Sequence, residues 1–218
     1  NYSDVYKGWQ QDPEGFWLDA AKAIDWVKAP TKALDDANAP LYEWFTDTEV
    51  NTCYNAVDRH VVAGNGDRTA IIYDSPITDT KSKISYAELQ TKVALLAGAM
   101  AAKGITKGDR VIIYMPMVPE ALVAMLACSR IGAIHSVVFG GFASNELAVR
   151  IDDAKPKMIL AASCGLEPNR VVAYKPLIDG AIDLSDHKPD SVFIFQREQC
   201  PASLIEGRDY DWNDVQNG

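Results

Sequence analysis

Few residues of this chain have the types and spacing that chemistry needs, and the clearest set sits at one corner. Phe139, Gly140 and Gly141 end a short apolar run, Ala133 to Phe139, and Ser144 follows closely. Paired glycines free the backbone for a tight turn or for close approach by a ligand. Open α/β sheets bind ligands outside the carboxyl ends of their parallel strands. The corner from Phe139 to Phe142 is therefore where a ligand is first expected, with a plain tight turn as the alternative. Asp58-Arg59-His60 also groups acid–base residue types, but nothing nearby orients the histidine, so a surface ion pair is expected. His60, His135 and His187 are isolated, and His135, inside the apolar run, reads as a satisfied core residue. Cys53, Cys128, Cys164 and Cys200 stand too far apart for metal-ligand pair spacing, and no metal site is expected. No Gly-Lys-Ser/Thr phosphate loop is present, and no Ser/His/Asp or Cys/His set converges.

The elements that must position this corner follow from periodicity. Gly132 closes the helix before it in a left-handed cap, and Ala133 to Phe139 reads as a strand covered on both faces. Ser144 is placed to cap the next helix, which runs through Leu147 and Ile151. Upstream, Thr69 to Tyr73 and Lys83 to Tyr86 read as strands. Ser85 and Glu88 form a capping box for a helix whose buried face is Leu89, Val93, Leu96 and Met100, ended by Gly104. Asp109 to Tyr114 is the next strand, and Pro119-Glu120 starts a helix expected to bury Leu122, Met125 and Leu126. Cys128 lies in that helix, where cysteine acts as a small hydrophobe. Downstream come a strand at Met158–Ala162, a loop SCGLEPNRVVAYKP, a helix near Leu177–Leu184 and a strand at Ser191–Gln196. Strands alternating with helices predict an α/β fold, with a doubly wound, mostly parallel sheet flanked by helices.

The first sixty residues differ. Trp9, Trp17, Trp26 and Trp44 concentrate there, with prolines at 13, 30 and 40. Phe16, Ala20 and Ile24 recur at helical spacing after Asp12-Pro13, with Pro30 as the stop. Short helices packed through their rings are expected, with Trp44-Phe45 as an anchor. A helix from Thr52 to Ala63, ended by Gly64, follows. Over all 218 residues, 21 Lys and Arg face 30 Asp and Glu, a net charge of −9. That balance argues against nucleic-acid or membrane partners. No apolar run approaches the roughly 20 residues of a membrane span. Four dispersed cysteines point to a reducing compartment, the cytoplasm or, in a eukaryote, the mitochondrial matrix.

Several stretches together resemble the short-chain acyl-CoA synthetases of the adenylate-forming superfamily. They are YNAVDRHVVAGNGDRTAIIYDS, ISYAELQTKVALLAGAM, the long run from Lys107 to Leu160 containing MPMVPEA and IGAIHSVVFGGF, and ASCGLEPNRVVAYKPL. The opening, YKGWQQDPEGFWLDAAKAIDW, is similar to the amino-terminal cap segment of acetyl-CoA synthetases. CGLEPNRVVAYKP tips the resemblance towards the propionyl branch. The resemblance implies an aromatic-rich helical cap segment over residues 1–62, and over 63–218 the first part of the large AMP-binding domain. It implies a ligase in which propionate, or acetate, reacts with ATP and Mg²⁺ to an acyl-adenylate, and coenzyme A then displaces AMP. A non-catalytic CoA- or nucleotide-binding module is the rival reading.

The phosphate loop, acyl pocket, adenine ligands and catalytic lysine of such enzymes lie further along the chain than Gly218. The chain is therefore expected to be the amino-terminal part of a larger enzyme, partnered by the remainder of its own chain and inactive alone. No catalytic residue is expected within it. What the resemblance carries over concerns coenzyme A: Phe139, Gly140 and Gly141 on the adenine side, and Glu167, Pro168, Asn169 and Arg170 at the nucleotide and its 3′-phosphate. Acetyl-CoA synthetases commonly have arginine at both ends of that loop, and this chain has Glu167 at the first. That carboxylate is expected to orient Arg170 or meet the adenine amine, with Lys175 supplying the lost positive charge; an exposed Glu167–Arg170 ion pair is the alternative.

Overall fold

The computed structural model describes residues 1–216. They form two compact units, residues 1–59 and the chain from His60 onward. In the first, α1 (Tyr2–Gln11) carries an Asn1/Asp4 capping box, and α2 (Pro13–Ala21) starts where the Asp12 carboxylate accepts from the Gly15 amide. The helix expected to run on to Pro30 stops at Ala21. The Trp26 indole donates to the Ala21 carbonyl at 2.7 Å, closing the helix end, and the chain turns extended. The expected all-helical segment is thus mixed. β1 (Trp26–Lys28) pairs antiparallel with β4 (Glu49–Val50), and β2 (Leu34–Asp35) with β3 (Glu43–Trp44). The aromatic rings do cluster: Trp44 meets Trp17 edge-on at 5.3 Å and Phe45 at 5.9 Å.

Thr52 to Asn65 is helical, as expected, but wound in wide π-type turns at Tyr54–Asp58 and Val61–Asn65, with Gly64 at φ 79°. The Asp58-Arg59-His60 cluster is not a surface ion pair. Asp58 is buried. The Arg59 guanidinium reaches back to the Ala23 carbonyl at 2.9 Å and to Asn55, while the His60 ring lies against Tyr86.

The second unit opens with an antiparallel hairpin, β5 (Thr69–Ser75) and β6 (Thr80–Ser85). Ser85 and Glu88 form their capping box, with the Ser85 amide 2.7 Å from the Glu88 carboxylate, and α3 (Tyr86–Ala102) buries the four residues its period predicts. β7 (Arg110–Met115), α4 (Pro119–Ile131), β8 (Ile134–Phe139), α5 (Ser144–Ala154) and β9 (Met158–Ala162) then alternate. β10 (Cys164–Glu167) and β11 (Arg170–Ala173) form a second hairpin, followed by α6 (Lys175–Leu184), β12 (Ser191–Phe195) and β13 (Asp209–Asp211). The main sheet has five strands in the order β13-β12-β9-β7-β8, all parallel. α3 packs against α4 and α5 against α6. Every residue of β9 is buried, as covering both faces of a parallel strand requires.

Four expectations are corrected. β8 is an edge strand, with Ile134, Val137 and Phe139 exposed, so His135 is half-buried on an edge rather than a core residue. α4 buries its small residues, Val123, Ala124, Ala127 and Cys128, which permit close packing, while Leu122 is exposed and Met125 and Leu126 are half-buried. Ser144 does not cap α5; Ala143 holds the N-cap position, and the Ser144 hydroxyl donates to the Leu177 carbonyl of α6 at 3.0 Å. The segment SCGLEPNRVVAYKP is no loop: Cys164 to Ala173 is the β10–β11 hairpin, turning on Pro168-Asn169.

Candidate functional site

The carboxyl ends of β7, β8, β9 and β12 all deliver residues to one place. The last residue of β7, Met115, pairs with the last of β8, Phe139, and the glycine corner follows. Gly141 sits at φ 96°, a backbone region that side chains with a Cβ rarely adopt. The corner is pinned from below by Tyr114. Its hydroxyl donates to the Phe142 carbonyl at 2.7 Å and accepts from the Gly141 amide at 3.0 Å. The Gly141 amide is therefore already engaged within the fold.

Gly140 is needed for another reason. A Cβ there would stand 2.6 Å from the Tyr174 hydroxyl and 2.9 Å from the Met115 carbonyl carbon. A Cβ on Gly165 would stand 2.1 Å from the same hydroxyl. Tyr174 thus fills the space two glycines leave, at 5.1 Å from the Tyr114 ring. Burial, with Tyr114 beside it, pushes the Tyr174 phenol up to about 12, and burial likewise raises Tyr114. Both tyrosines stay neutral at physiological pH. Neither stood out in the sequence; the cue was a tyrosine beside each motif, in IIYMP and VVAYKP.

Above this floor lies a cavity of about 370 Å³ that takes in Phe139, Gly140, Gly141, Glu167, Tyr174 and Arg197, and Tyr73 to Thr78 of the first hairpin also line it. Phe139 is 70% exposed. The structure therefore brings Phe139, Gly140, Gly141 and Glu167 to one cavity. Pro168, Asn169 and Arg170 sit at and beside the hairpin turn, outside its lining. The Arg170 guanidinium closes on Glu167 through two bonds of 2.7 and 3.0 Å, and both side chains are exposed. Arg170 holds the Glu167 carboxyl below its ordinary range, and Glu167 raises Arg170 in turn. The two therefore form an exposed ion pair, which solvent screens.

Lys175 does not replace the missing charge. It is 7% exposed, and its ammonium is held by Asp179 at 2.6 Å and Asp209 at 2.9 Å. Arg208 meets the same two carboxylates. Burial works against the Asp209 charge, yet Arg208, the Ile205 amide and Lys175 hold its carboxyl below the ordinary value. Asp209 begins β13, at the opposite edge of the sheet from β8.

The residues present suit an adenine nucleotide such as that of coenzyme A. An exposed ring gives a face for the base, and an arginine gives a partner for phosphate. Cys128, by contrast, is a packing residue whose thiol burial pushes up to about 12. Among the described residues no group of His, Cys, Asp or Glu is arranged to hold a metal ion, and no helix is long and apolar enough to cross a membrane.

In open parallel α/β sheets ligands bind outside the carboxyl ends of the strands, which is where this cavity lies. The chain belongs to the AMP-binding enzyme family, whose sequence model matches residues 58–214; residues 2–56 match the model of the acetyl-coenzyme A synthetase N-terminus. It is 54% identical to an uncharacterized protein of Pseudomonas aeruginosa and 53% identical to the mitochondrial acyl-CoA synthetase short-chain family member 3 of Rattus norvegicus, each over 93% of this chain. It is 43% identical to acetyl-coenzyme A synthetase of Streptomyces avermitilis over 98% of its length. These matches cover 32%, 30% and 32% of the respective relatives, so the chain spans about a third of their length.

Proposed function

We propose that this chain is the amino-terminal part of an AMP-forming ligase that joins propionate to coenzyme A, using ATP and Mg²⁺, through an acyl-adenylate. Residues 1–62 serve as its cap segment and 63–218 as the first part of its AMP-binding domain. The observation that carries the reading is the match to the AMP-binding family along the whole unit that holds the Phe139–Gly141 cavity. Coenzyme A, when bound, supplies the thiol that takes up the acyl group. This chain's own share is to bind and orient the CoA nucleotide: the Phe139 ring faces the adenine, Gly140 and Gly141 shape the corner beside it, and Glu167 to Arg170 border the phosphate from the hairpin. Glu167 occupies two donors of Arg170 and leaves the third nitrogen free for the 3′-phosphate. Acetate is the second reading, favoured by the match of residues 2–56 to the acetyl-coenzyme A synthetase N-terminus.

The test is made on the full-length protein. It is expected to form propionyl-CoA, AMP and diphosphate, and to exchange labelled pyrophosphate into ATP with propionate present. Arg170→Ala is expected to raise the Michaelis constant for CoA by about ten- to a hundredfold, as loss of one charge-assisted bond implies, while sparing the exchange. Wild type is expected to bind dephospho-CoA more weakly than CoA, and the variant to treat them alike. Absence of exchange with either acid would overturn the ligase reading; slowed exchange with an unchanged CoA constant would move the hairpin out of the CoA site.

A further inference from the structure

We propose that Arg197 is a phosphate-binding residue of the Phe139–Gly141 cavity, meeting an anionic phosphate of the adenine nucleotide that enters there. The inference rests on the ligase reading for the identity of that nucleotide. Its grounds are the charges around the cavity. Of the residues that line it, Asp74, Glu167 and Arg197 carry charge, and Arg197 is the one cation. Arg170 stands outside the lining with two nitrogens committed to Glu167, and the Lys175 ammonium is buried among carboxylates. A polyanionic ligand seated in the cavity therefore has Arg197 as its cationic partner within the lining.

The geometry prepares Arg197 for that role. It directly follows Gln196, beyond the end of β12, and its backbone is fixed: its amide donates to the Ser163 hydroxyl at 2.8 Å. Ser163 is buried and ties three elements together, since its amide donates to the Phe195 carbonyl at 2.9 Å and its own carbonyl accepts from the Tyr174 amide at 2.9 Å. The Arg197 guanidinium spends one donor on the Cys164 carbonyl at 3.1 Å, at the base of the β10–β11 hairpin. Among the described residues it has no carboxylate partner. A guanidinium carries five N–H donors in a rigid fork, so an arginine held by one carbonyl keeps a face for two parallel bonds to a phosphate. It is half-buried, and a cation there is screened less than one on an open surface. Arg197 also borders a neighbouring cavity of about 460 Å³ with Lys92, Glu120 and Glu198, so a phosphate of ATP is a second source of the same chemistry.

The experiment uses the full-length protein with Arg197→Gln and Arg197→Lys. Binding of adenosine 3′,5′-bisphosphate and of adenosine is measured by calorimetry. The Michaelis constants for CoA in the complete reaction and for ATP in pyrophosphate exchange are measured beside it. Arg197→Gln is expected to weaken bisphosphate binding and raise the CoA constant by ten- to a hundredfold, leaving adenosine binding unchanged. Arg197→Lys, which keeps the charge and loses the fork, is expected to recover part of both. A rise in the ATP constant in place of the CoA constant, with bisphosphate binding unchanged, would assign the phosphate to ATP in the neighbouring cavity and overturn the placement in this one. Equal loss of adenosine and bisphosphate affinity would show that Arg197 merely holds the hairpin through Cys164, and would overturn it. So would two unchanged Michaelis constants. A wild type without exchange overturns the ligase reading, and bisphosphate binding then still decides the role of Arg197.

Discussion

At the scale of single residues, the corner depends on two tyrosines more than on its glycines' freedom to meet a ligand. Gly140 and Gly165 are glycines because Tyr174 lies across both, and Gly141 because φ 96° is costly for anything else. Gly140→Ala is expected to destabilise the protein by about 1–3 kcal/mol, since the added Cβ would meet the Met115 backbone at 2.9 Å and that backbone cannot yield. Urea unfolding measures it, and a variant as stable as wild type would mean that the backbone does yield. Tyr114→Phe removes one acceptor and one donor from the corner. Gly141 and Phe142 are exposed enough for water to replace the hydroxyl, so the loss is expected at about 0.5–1.5 kcal/mol. Its CoA constant should nevertheless rise, because the corner loses the contacts that set its shape. An unchanged constant would show that the backbone holds the corner unaided.

At the scale of elements, much was legible because the signals are local: the Ser85–Glu88 capping box, the Gly132 cap at φ 73°, and the heptad-like face of α3 each lie within a single helix or at its end. What was not legible depends on partners far apart in sequence. Whether an apolar strand is central or at an edge depends on which strands flank it, and so β8 read as buried. The β10–β11 hairpin hid because Pro168-Asn169 is weak turn chemistry beside Asn-Gly. The pairing of Lys175 with Asp209, 34 residues on, leaves no periodic trace. Asp109 shows how such a partner sets an element's start. Just before β7, it accepts from the Thr106 amide at 2.8 Å and pairs with Lys157, just before β9, at 2.9 Å. The Lys157 bond first, then the Thr106 amide, bring its carboxyl down to about 2. A folded-state value below the unfolded one contributes stability that is fully present above the unfolded value and fades as pH falls through the folded one. The contribution is about 2 kcal/mol at neutral pH, less where solvent screens Lys157. Asp109→Asn should therefore melt below wild type at pH 7, and the gap should close between about pH 4 and pH 2. A gap independent of pH would assign the effect to packing.

At the scale of the whole molecule, a chain of net charge −9 is proposed to handle two polyanions, ATP and coenzyme A. Its overall field repels both, so binding must rest on a few placed cations and on apolar contact. On the proposed reading the exposed Phe139 ring supplies that contact within this chain. On the proposed reading, the acyl pocket is formed by chain beyond Gly218, so CoA capture and acid selectivity reside in separate parts of the enzyme. Selectivity for propionate over acetate then comes from one methylene in an apolar pocket, worth about 1–3 kcal/mol, and the ratio of specificity constants is expected at roughly 10 to 200. Phe139→Ala in the full-length protein should raise the CoA constant severalfold through lost stacking and leave that ratio alone, because the proposed reading puts the acyl pocket apart from the ring. Both quantities come from one set of initial-rate measurements with the two acids at varied CoA. A ratio near one, or below it, would transfer the assignment to acetate. A ratio that shifts with Phe139→Ala would place the acyl group against this cavity and end the separation argued here.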